Sequence, residues 1–406
     1  MFSESRNPPE YSTLDSQRTE SNIEGKEATM RSREKLGDQG LVFLVGLFFA
    51  FLLTGNIAVT GTNASVAEVW SVPVSDYAYC VSVSDSGRVV AVVDIGKVSH
   101  MQVYSSQGER EKNWSPSKGA YFEFCLIRQD YVLATYGDVV SLFGNGGKEQ
   151  LWAKSLQDLW PDAVTMSIDS KSIVMASYPP DAKSTVWMLD IDGNTLWKRQ
   201  VESNVTDTAI TPEGFVVAGG EKYGYFADKG RDAVYLFRLN GSLAWWKETD
   251  SPVIDVAVSD DCTHIVAGLD NGGMLFLDRD GHVVWEKEAI GAWVDMSGDG
   301  RLTVASSLSG FFVLGVDGST AWQNDAVGYL PGSQDGLDIS RNGKTIVGLE
   351  APMIYEGNQV FVFDRAGENV YSDTDSSSSP RVAVSESGQF VAIAFARKLI
   401  LLRCEW

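Results

Sequence analysis

Four carboxylates stand out by their spacing. Asp207, Asp255, Asp295 and Asp338 each fall on or just before the first apolar run of four consecutive repeated segments. Crowded carboxylates repel one another unless a proton or a cation neutralises them, so a converging set would bind a cation or a basic peptide. Spread apart, the same residues would be solvated strand starts. Gly343-Lys344-Thr345 ends like a phosphate-binding loop, yet the full pattern needs a glycine five residues before Gly343, where Asp338 stands. The stretch Ser340 to Gly343 instead matches the turn Ser297-Gly298-Asp299-Gly300 of another repeat. Asp190-Ile191-Asp192-Gly193-Asn194 and Asp278-Arg279-Asp280-Gly281 have carboxylates at calcium-loop spacing but lack the bidentate glutamate of such sites, and read as hairpin turns.

Nucleophilic and metal chemistry find little material. Three histidines (His100, His264, His282) and four scattered cysteines (Cys80, Cys125, Cys262, Cys404) give no ligand spacing and no disulfide framework. No Gly-x-Ser-x-Gly elbow occurs. A net charge of −21 argues against nucleic acid, because phosphate binding needs a basic footprint. The 406 residues are 44% hydrophobic, enough for a sizeable core and too many for wholesale disorder.

The elements that must carry these residues are repeats. One copy runs Val256-Ala257-Val258-Ser259-Asp260, then Ile265-Val266-Ala267-Gly268, then Met274-Leu275-Phe276-Leu277-Asp278, and closes with Asp280-Gly281 and Trp285. Short apolar runs separated by turn residues predict successive strands. The ending recurs: Gly193 precedes Trp197 by four residues, as Gly241 does Trp245, Gly281 Trp285 and Gly318 Trp322. Gly367 and Tyr371 keep that spacing, while Gly147 with Trp152 and Gly108 with Trp114 are looser. The glycine suits a tight hairpin with positive φ, and the aromatic can pack between neighbouring sheets.

With Trp70, the aromatic closers number eight. The last copy, Val382 to Leu402, has three strands, and Val66 to Trp70 is an orphan fourth strand at the other end of the repeats. Joining the two would complete a ring without open edges. The expected fold is therefore all-β, an eight-bladed β-propeller of four-stranded blades over residues 64–406, its N-terminal strand closing the last blade. Seven or nine blades would follow if a degenerate copy is miscounted.

Ahead of the repeats, residues 1–39 are polar and read as a disordered cytoplasmic arm. Residues 40–61 hold Leu41 to Leu53, thirteen residues without a polar side chain. From Gly40 to Thr60, at ~1.5 Å per residue, a helix would span the ~30 Å hydrocarbon layer. Lys26, Arg31, Arg33 and Lys35 precede the segment, and the next basic residue is Arg88. The positive-inside rule then places the N-terminus in the cytoplasm and the propeller outside, as a single-pass membrane protein. A cleaved signal peptide ending near Ser65-Val66-Ala67 is the competing reading. Sequons at Asn63, Asn113, Asn204 and Asn240 suit exposure outside the cell.

The Asp-Gly-x-x-x-Trp endings, as in Asp280-Gly281 to Trp285, resemble the quinoprotein (PQQ-like) propeller repeat rather than the WD repeat, since no Trp-Asp dipeptide occurs. That superfamily includes PQQ-dependent dehydrogenases and non-enzymatic scaffolds, among them the lipoprotein of the bacterial outer-membrane assembly machine. Membrane-anchored archaeal surface proteins with such repeats are also similar. Its enzymes carry adjacent cysteines beside the quinone and carboxylates on Ca²⁺. No adjacent cysteines exist here, so the resemblance implies the non-enzymatic branch, with no cofactor and no catalytic residue.

Partner contacts are expected on the loops between second and third strands and between blades. These carry Trp160, Tyr178, Tyr223, Tyr225, Phe226, Tyr329 and Tyr355, and aromatics on surface loops either pack locally or meet a partner. The expected function is a membrane-anchored scaffold binding other envelope proteins or surface polymers. The alternatives are a PQQ- or metal-dependent oxidoreductase and a structural cell-surface component.

Overall fold

The computed structural model describes residues 64–406 apart from the short segments 75–76, 96–97, 117–119, 157–160, 178–182, 224–228, 308–309, 325–335, 351–357 and 376–379. The arm and the apolar segment before residue 64 lie outside the described residues. Among the described residues no helix is long and apolar enough to cross a membrane.

Eight four-stranded antiparallel sheets follow one another along the chain. Blade 1 runs from Ala78–Val83 to Arg110–Trp114, blade 2 from Phe122–Arg128 to Glu149–Ser155, and blade 3 from Pro161–Met166 to Thr195–Gln200. Blades 4 to 7 begin at Asn204–Ile210, Val253–Val258, Trp293–Met296 and Leu337–Ile339. The first strands of successive blades lie side by side all the way round, that of blade 8 against that of blade 1, so the ring is closed.

Blade 8 is assembled from both ends. Arg381–Val384, Phe390–Phe395 and Lys398–Glu405 supply three strands, and Ser65–Pro73 adds the fourth, with Ser65 opposite Glu405 and Pro73 opposite Lys398. Trp70 pairs with Leu401, as the orphan-strand reading requires.

The middle strands are apolar throughout because both faces are buried. In Val89–Ile95, Val89, Ala91 and Val93 point into the joint with blade 8, while Val90 and Val92 point into the joint with blade 2. The core is thus eight apolar clusters, one per joint between blades. Fourth strands need only one apolar face, and Thr195–Gln200 buries only Trp197.

The glycine–aromatic ending works between blades. Gly241 of blade 4 has φ +72° and would press a Cβ to 2.6 Å from the ring of Trp197 in blade 3. The same indole donates from Nε1 to the Leu239 carbonyl at 2.9 Å. Trp114, Trp152, Trp245, Trp285 and Trp322 likewise donate to Gly147, Ile191, Arg279, Val316 and Arg365 of the next hairpin. Register explains the looser spacings. In blade 1, Lys112 pairs with Val103 and Trp114 with Met101, so Trp114 stands one pleat beyond the usual position on the same face. In blade 2 the longer hairpin, with Glu149 opposite Gly144, adds one residue.

Other motifs settle into turns. Lys344 and Thr345 donate backbone N–H groups to Ser340 Oγ, making Gly343-Lys344-Thr345 a hairpin turn entering the strand Thr345–Glu350. Asp190 and Asp278 accept the backbone N–H of Asn194 and His282. Asn204 is buried, which takes that sequon out of reach of glycosylation in the folded ring, whereas Asn113 and Asn240 are exposed.

Candidate functional site: the axial channel

A recurrent turn places the inner-strand polar residues. After the first strand of seven blades a buried hydroxyl (Ser84, Ser167, Thr211, Ser259, Ser297, Ser340 or Ser385) accepts an N–H at the start of the second strand. Counting back from it, Asp207 and Asp255 stand four residues earlier, and Asp295 and Asp338 two residues earlier. Side chains alternate along a strand, so both positions face the same way, at two levels of the channel.

At each level the carboxylate reaches across a joint. Asp207 Oδ2 accepts the Val256 N–H of blade 5 at 3.0 Å, and Asp255 Oδ2 accepts Val294 of blade 6 at 2.9 Å. Asp295 Oδ2 takes Ile339 of blade 7 at 3.1 Å, and Asp338 Oδ2 takes Val384 of blade 8 at 2.7 Å. Each acid therefore clamps its own blade to the next one by satisfying a backbone donor on the inner strand. Charge-assisted bonds of this kind are about twice as strong as neutral ones.

The acids also pair. Asp255 hydrogen-bonds Asp207, and burial first, then the Asp207 charge, push its carboxyl well above the usual carboxylate range, against the pull of the Val294 N–H. Asp295 is raised well above that range by burial and by the Asp338 charge. Asp338 is also raised, by burial, with the Val384 N–H, its bond to Asp295 and the Arg128 charge opposing. Like charges this close disfavour one another's ionisation, which adds to burial in raising Asp255 and Asp295. The structure brings the four residues together as two pairs along the channel, each acid tied to backbone of the next blade.

Arg128 and Arg341 complete the channel. A cavity of about 130 Å³ is lined by Arg128, Asp295, Asp338, Arg341 and Glu386. Arg128 is paired with Glu386, and Arg341 with Asp260. Burial depresses Arg128 against the raising charges of Asp338, Asp295 and Asp85. Burial and then the neighbouring Arg128 bring Arg341 down to about 10. At this end the turns also link by backbone, Asp260 donating to Gly298, Gly298 to Arg341 and Arg341 to Glu386. A second cavity of about 220 Å³ lies beside Asp255, Asp295 and Asp338 and reaches Cys125. The channel's carboxylates are thus occupied by backbone donors of the next blade, and its arginines by Glu386 and Asp260.

Sequence reasoning missed the arginines, of which Arg341 reads as an ordinary turn residue, and it missed Cys80 and Cys125. Cys80 stands four residues before Ser84, the position of Asp207 and Asp255, and its Sγ accepts the Cys125 N–H of blade 2 at 3.1 Å. Two residues before Ser84, Ser82 Oγ accepts the Ile127 N–H at 3.1 Å. Aligning the inner strands on the turn hydroxyl would have exposed both.

Of the aromatic loop residues, Tyr223 is 8% exposed, its backbone bridging Lys229 and its ring filling the space beside Gly230. Its ring belongs to the loop's own packing. Trp160, Tyr178, Tyr225, Phe226, Tyr329 and Tyr355 lie outside the described residues.

Fold and channel define the class: an eight-bladed β-propeller with a charged, self-paired axis. Residues 182–315, from the third strand of blade 3 through the third strand of blade 6, match the model of a family described as outer membrane protein assembly factor BamB, a PQQ-type repeat. This supports the PQQ-like character of the repeats. No curated protein matches. Among solved structures, the C-terminal WD40 domain of Sif2 superposes with a TM-score of 0.61 at 11% identity, covering 84% of this chain and 99% of that one. At such identity the likeness shows the propeller fold alone, and with 1587 matching chains that fold is shared too widely to indicate an activity.

Proposed function

We propose that this protein is a binding or assembly scaffold, a propeller displayed outside the cytoplasm and held at a membrane by residues 40–61. One observation carries the scaffold reading: the polar groups of the axis are spent on joining blades. The cavities of about 130 and 220 Å³ are each smaller than a usual small-molecule pocket of ~300–1,000 Å³. Such a molecule offers surfaces rather than a reaction chamber. The family matched within blades 3 to 6 is described by an assembly role. The partner-facing loops are those carrying Trp160, Tyr178, Tyr225, Phe226, Tyr329 and Tyr355, with envelope proteins or surface polymers as partners.

The test is crosslinking capture of the full chain from its native membrane, comparing wild type with a Tyr225→Ala, Phe226→Ala, Tyr355→Ala variant. The variant should lose the captured partners while melting at the wild-type temperature. Retention of the same partners would remove the loop face as the site. Dye-linked dehydrogenase activity after addition of PQQ and Ca²⁺ would overturn the scaffold reading itself.

A further inference from the structure

Cys80 and Cys125 are 45 residues apart in sequence and sit on the inner strands of blades 1 and 2. Their sulfurs are 3.1 Å apart, with the Cys125 thiol directed at Cys80 Sγ, and the Cys80 thiol donates to the Cys125 carbonyl at 3.2 Å. Both residues are buried, 3% and 2% exposed, and the other two cysteines, Cys262 and Cys404, lie in other blades. The inner strands of adjacent blades run side by side, which brings the two sulfurs to one point of the ring.

What occupies this point at other joints makes it informative. Asp207 and Asp255 stand at the Cys80 position and clamp the next blade with an oxygen acceptor. Sulfur is a weak acceptor. The joint between blades 1 and 2 therefore holds its N–H with a poorer partner, and keeps a second sulfur facing the first. A carboxylate clamp has no use for a second thiol; a covalent one requires it.

We propose that Cys80 and Cys125 are an interblade disulfide site, a covalent clamp taking the place that Asp207 and Asp255 fill with hydrogen bonds. A disulfide needs sulfurs about 2.05 Å apart, so the pair must close by roughly 1 Å. The oxidant is a small dialkyl disulfide or a disulfide-exchange protein. Cys125, which lines the larger axial cavity, attacks as thiolate one sulfur of the reagent and releases one reduced thiol. The Cys80 thiolate then attacks the Cys125 sulfur and releases the second. The two cysteine protons pass to the released thiolates, and the reagent's disulfide takes both electrons. The site stands on this geometry and is independent of the scaffold reading. In an oxidising compartment the bond would persist; in a reducing one it would open.

The full chain in detergent, incubated with oxidised 2-mercaptoethanol, alkylated and digested, provides the test. A crosslinked peptide joining Cys80 to Cys125, with Cys262 and Cys404 alkylated, is expected, together with a raised melting temperature that falls back on reduction. The melting difference should vanish in Cys80→Ala. Mixed disulfides with the reagent and no crosslink, both in the folded protein and after refolding with the same reagent, would overturn the proposal. So would a crosslink that leaves the melting temperature unchanged.

Discussion

The joints between blades 3 and 6 and the seam around blade 8 solve the same problem with different parts. A regular joint has an indole on a glycine hairpin, its N–H given to the next blade, as Trp197 gives to Leu239 and Trp245 to Arg279. At the seam the fourth strand comes from the other end of the chain, so blade 8 has no hairpin between third and fourth strands. The closer facing it, in blade 7, is accordingly Tyr371. It packs against the cluster containing Cys404, and its hydroxyl, pushed up to about 12 by burial and by Asp373, remains a neutral phenol. On the far side Trp70 stacks on Tyr104 with centroids 5.9 Å apart and meets Gly108, but its Nε1 has no hydrogen-bond partner among the described residues. The ladder between Ser65–Pro73 and Lys398–Glu405 carries the closure that elsewhere is continuous chain. The ring is uniform where it repeats and improvised where it closes.

The largest break in that contrast comes from the ladder itself. Deleting residues 65–73 strips the cover from Leu399 and Leu401, both fully buried, and leaves an open strand edge. Such a chain is expected to lose cooperative melting by circular dichroism and to elute as aggregate in gel filtration. A monomer with the parent melting curve would show that three strands suffice and that the seam is ornamental.

The axial clamps allow a finer test, because blade 7 holds blade 8 with the same carboxylate device that joins blades 4 to 7. Asp255→Ala leaves the Val294 N–H without its acceptor, whereas Val256 keeps Asp207, and is expected to cost about 1–3 kcal/mol in urea unfolding for the one stranded buried donor. The raised carboxyls of the axis give the pH dependence its sign. The folded carboxyls of Asp255 and Asp295 are raised above the ~3.9 of an unfolded chain. Between those values the native state binds more protons than the unfolded one, so stability rises as pH falls from neutrality toward ~4. Below that, groups held low such as Asp261 and Asp299, bonded to Thr263 and Ser297, lose their contribution. Asp295→Asn should flatten the upper limb of the profile, and an unchanged slope would remove the raised Asp295 carboxyl from the account.

Much of this architecture was legible in residue order. The glycine–aromatic ending counted the blades, and the orphan strand before Trp70 announced the seam, because local pattern and ring closure coincide there. The acids were legible as a recurring set, two standing four residues and two standing two residues before a turn hydroxyl, but spacing alone left open whether they converge. What escaped was the partner of each group. The indole of Trp197 reads as the cap of its own strand, yet the glycine it rests on belongs to the next blade, and no spacing within one repeat states that. Cys80 and Cys125 look scattered because their meeting depends on the rotation from one blade to the next. Arg128 and Arg341 look like turn surface, and only the turns' convergence on the axis buries them.

The smallest expected effect separates the two kinds of joint most directly. Trp197→Phe keeps an aromatic over Gly241 but removes the donor to the Leu239 carbonyl, and Trp70→Phe keeps an aromatic over Gly108 and removes a donor without a partner among the described residues. Both substitutions lose similar apolar area, with the indoles 6% and 8% exposed, so the packing losses largely cancel in the comparison. What remains is one buried hydrogen bond, worth ~0.5–1.5 kcal/mol. The urea midpoint should therefore fall further for Trp197→Phe than for Trp70→Phe, by an amount equivalent to about 1 kcal/mol. Relieving an unpaired buried N–H at Trp70 acts in the same direction and widens the gap. Equal losses would mean that the indole N–H contributes nothing at a regular joint, and that glycine and ring alone hold successive blades together.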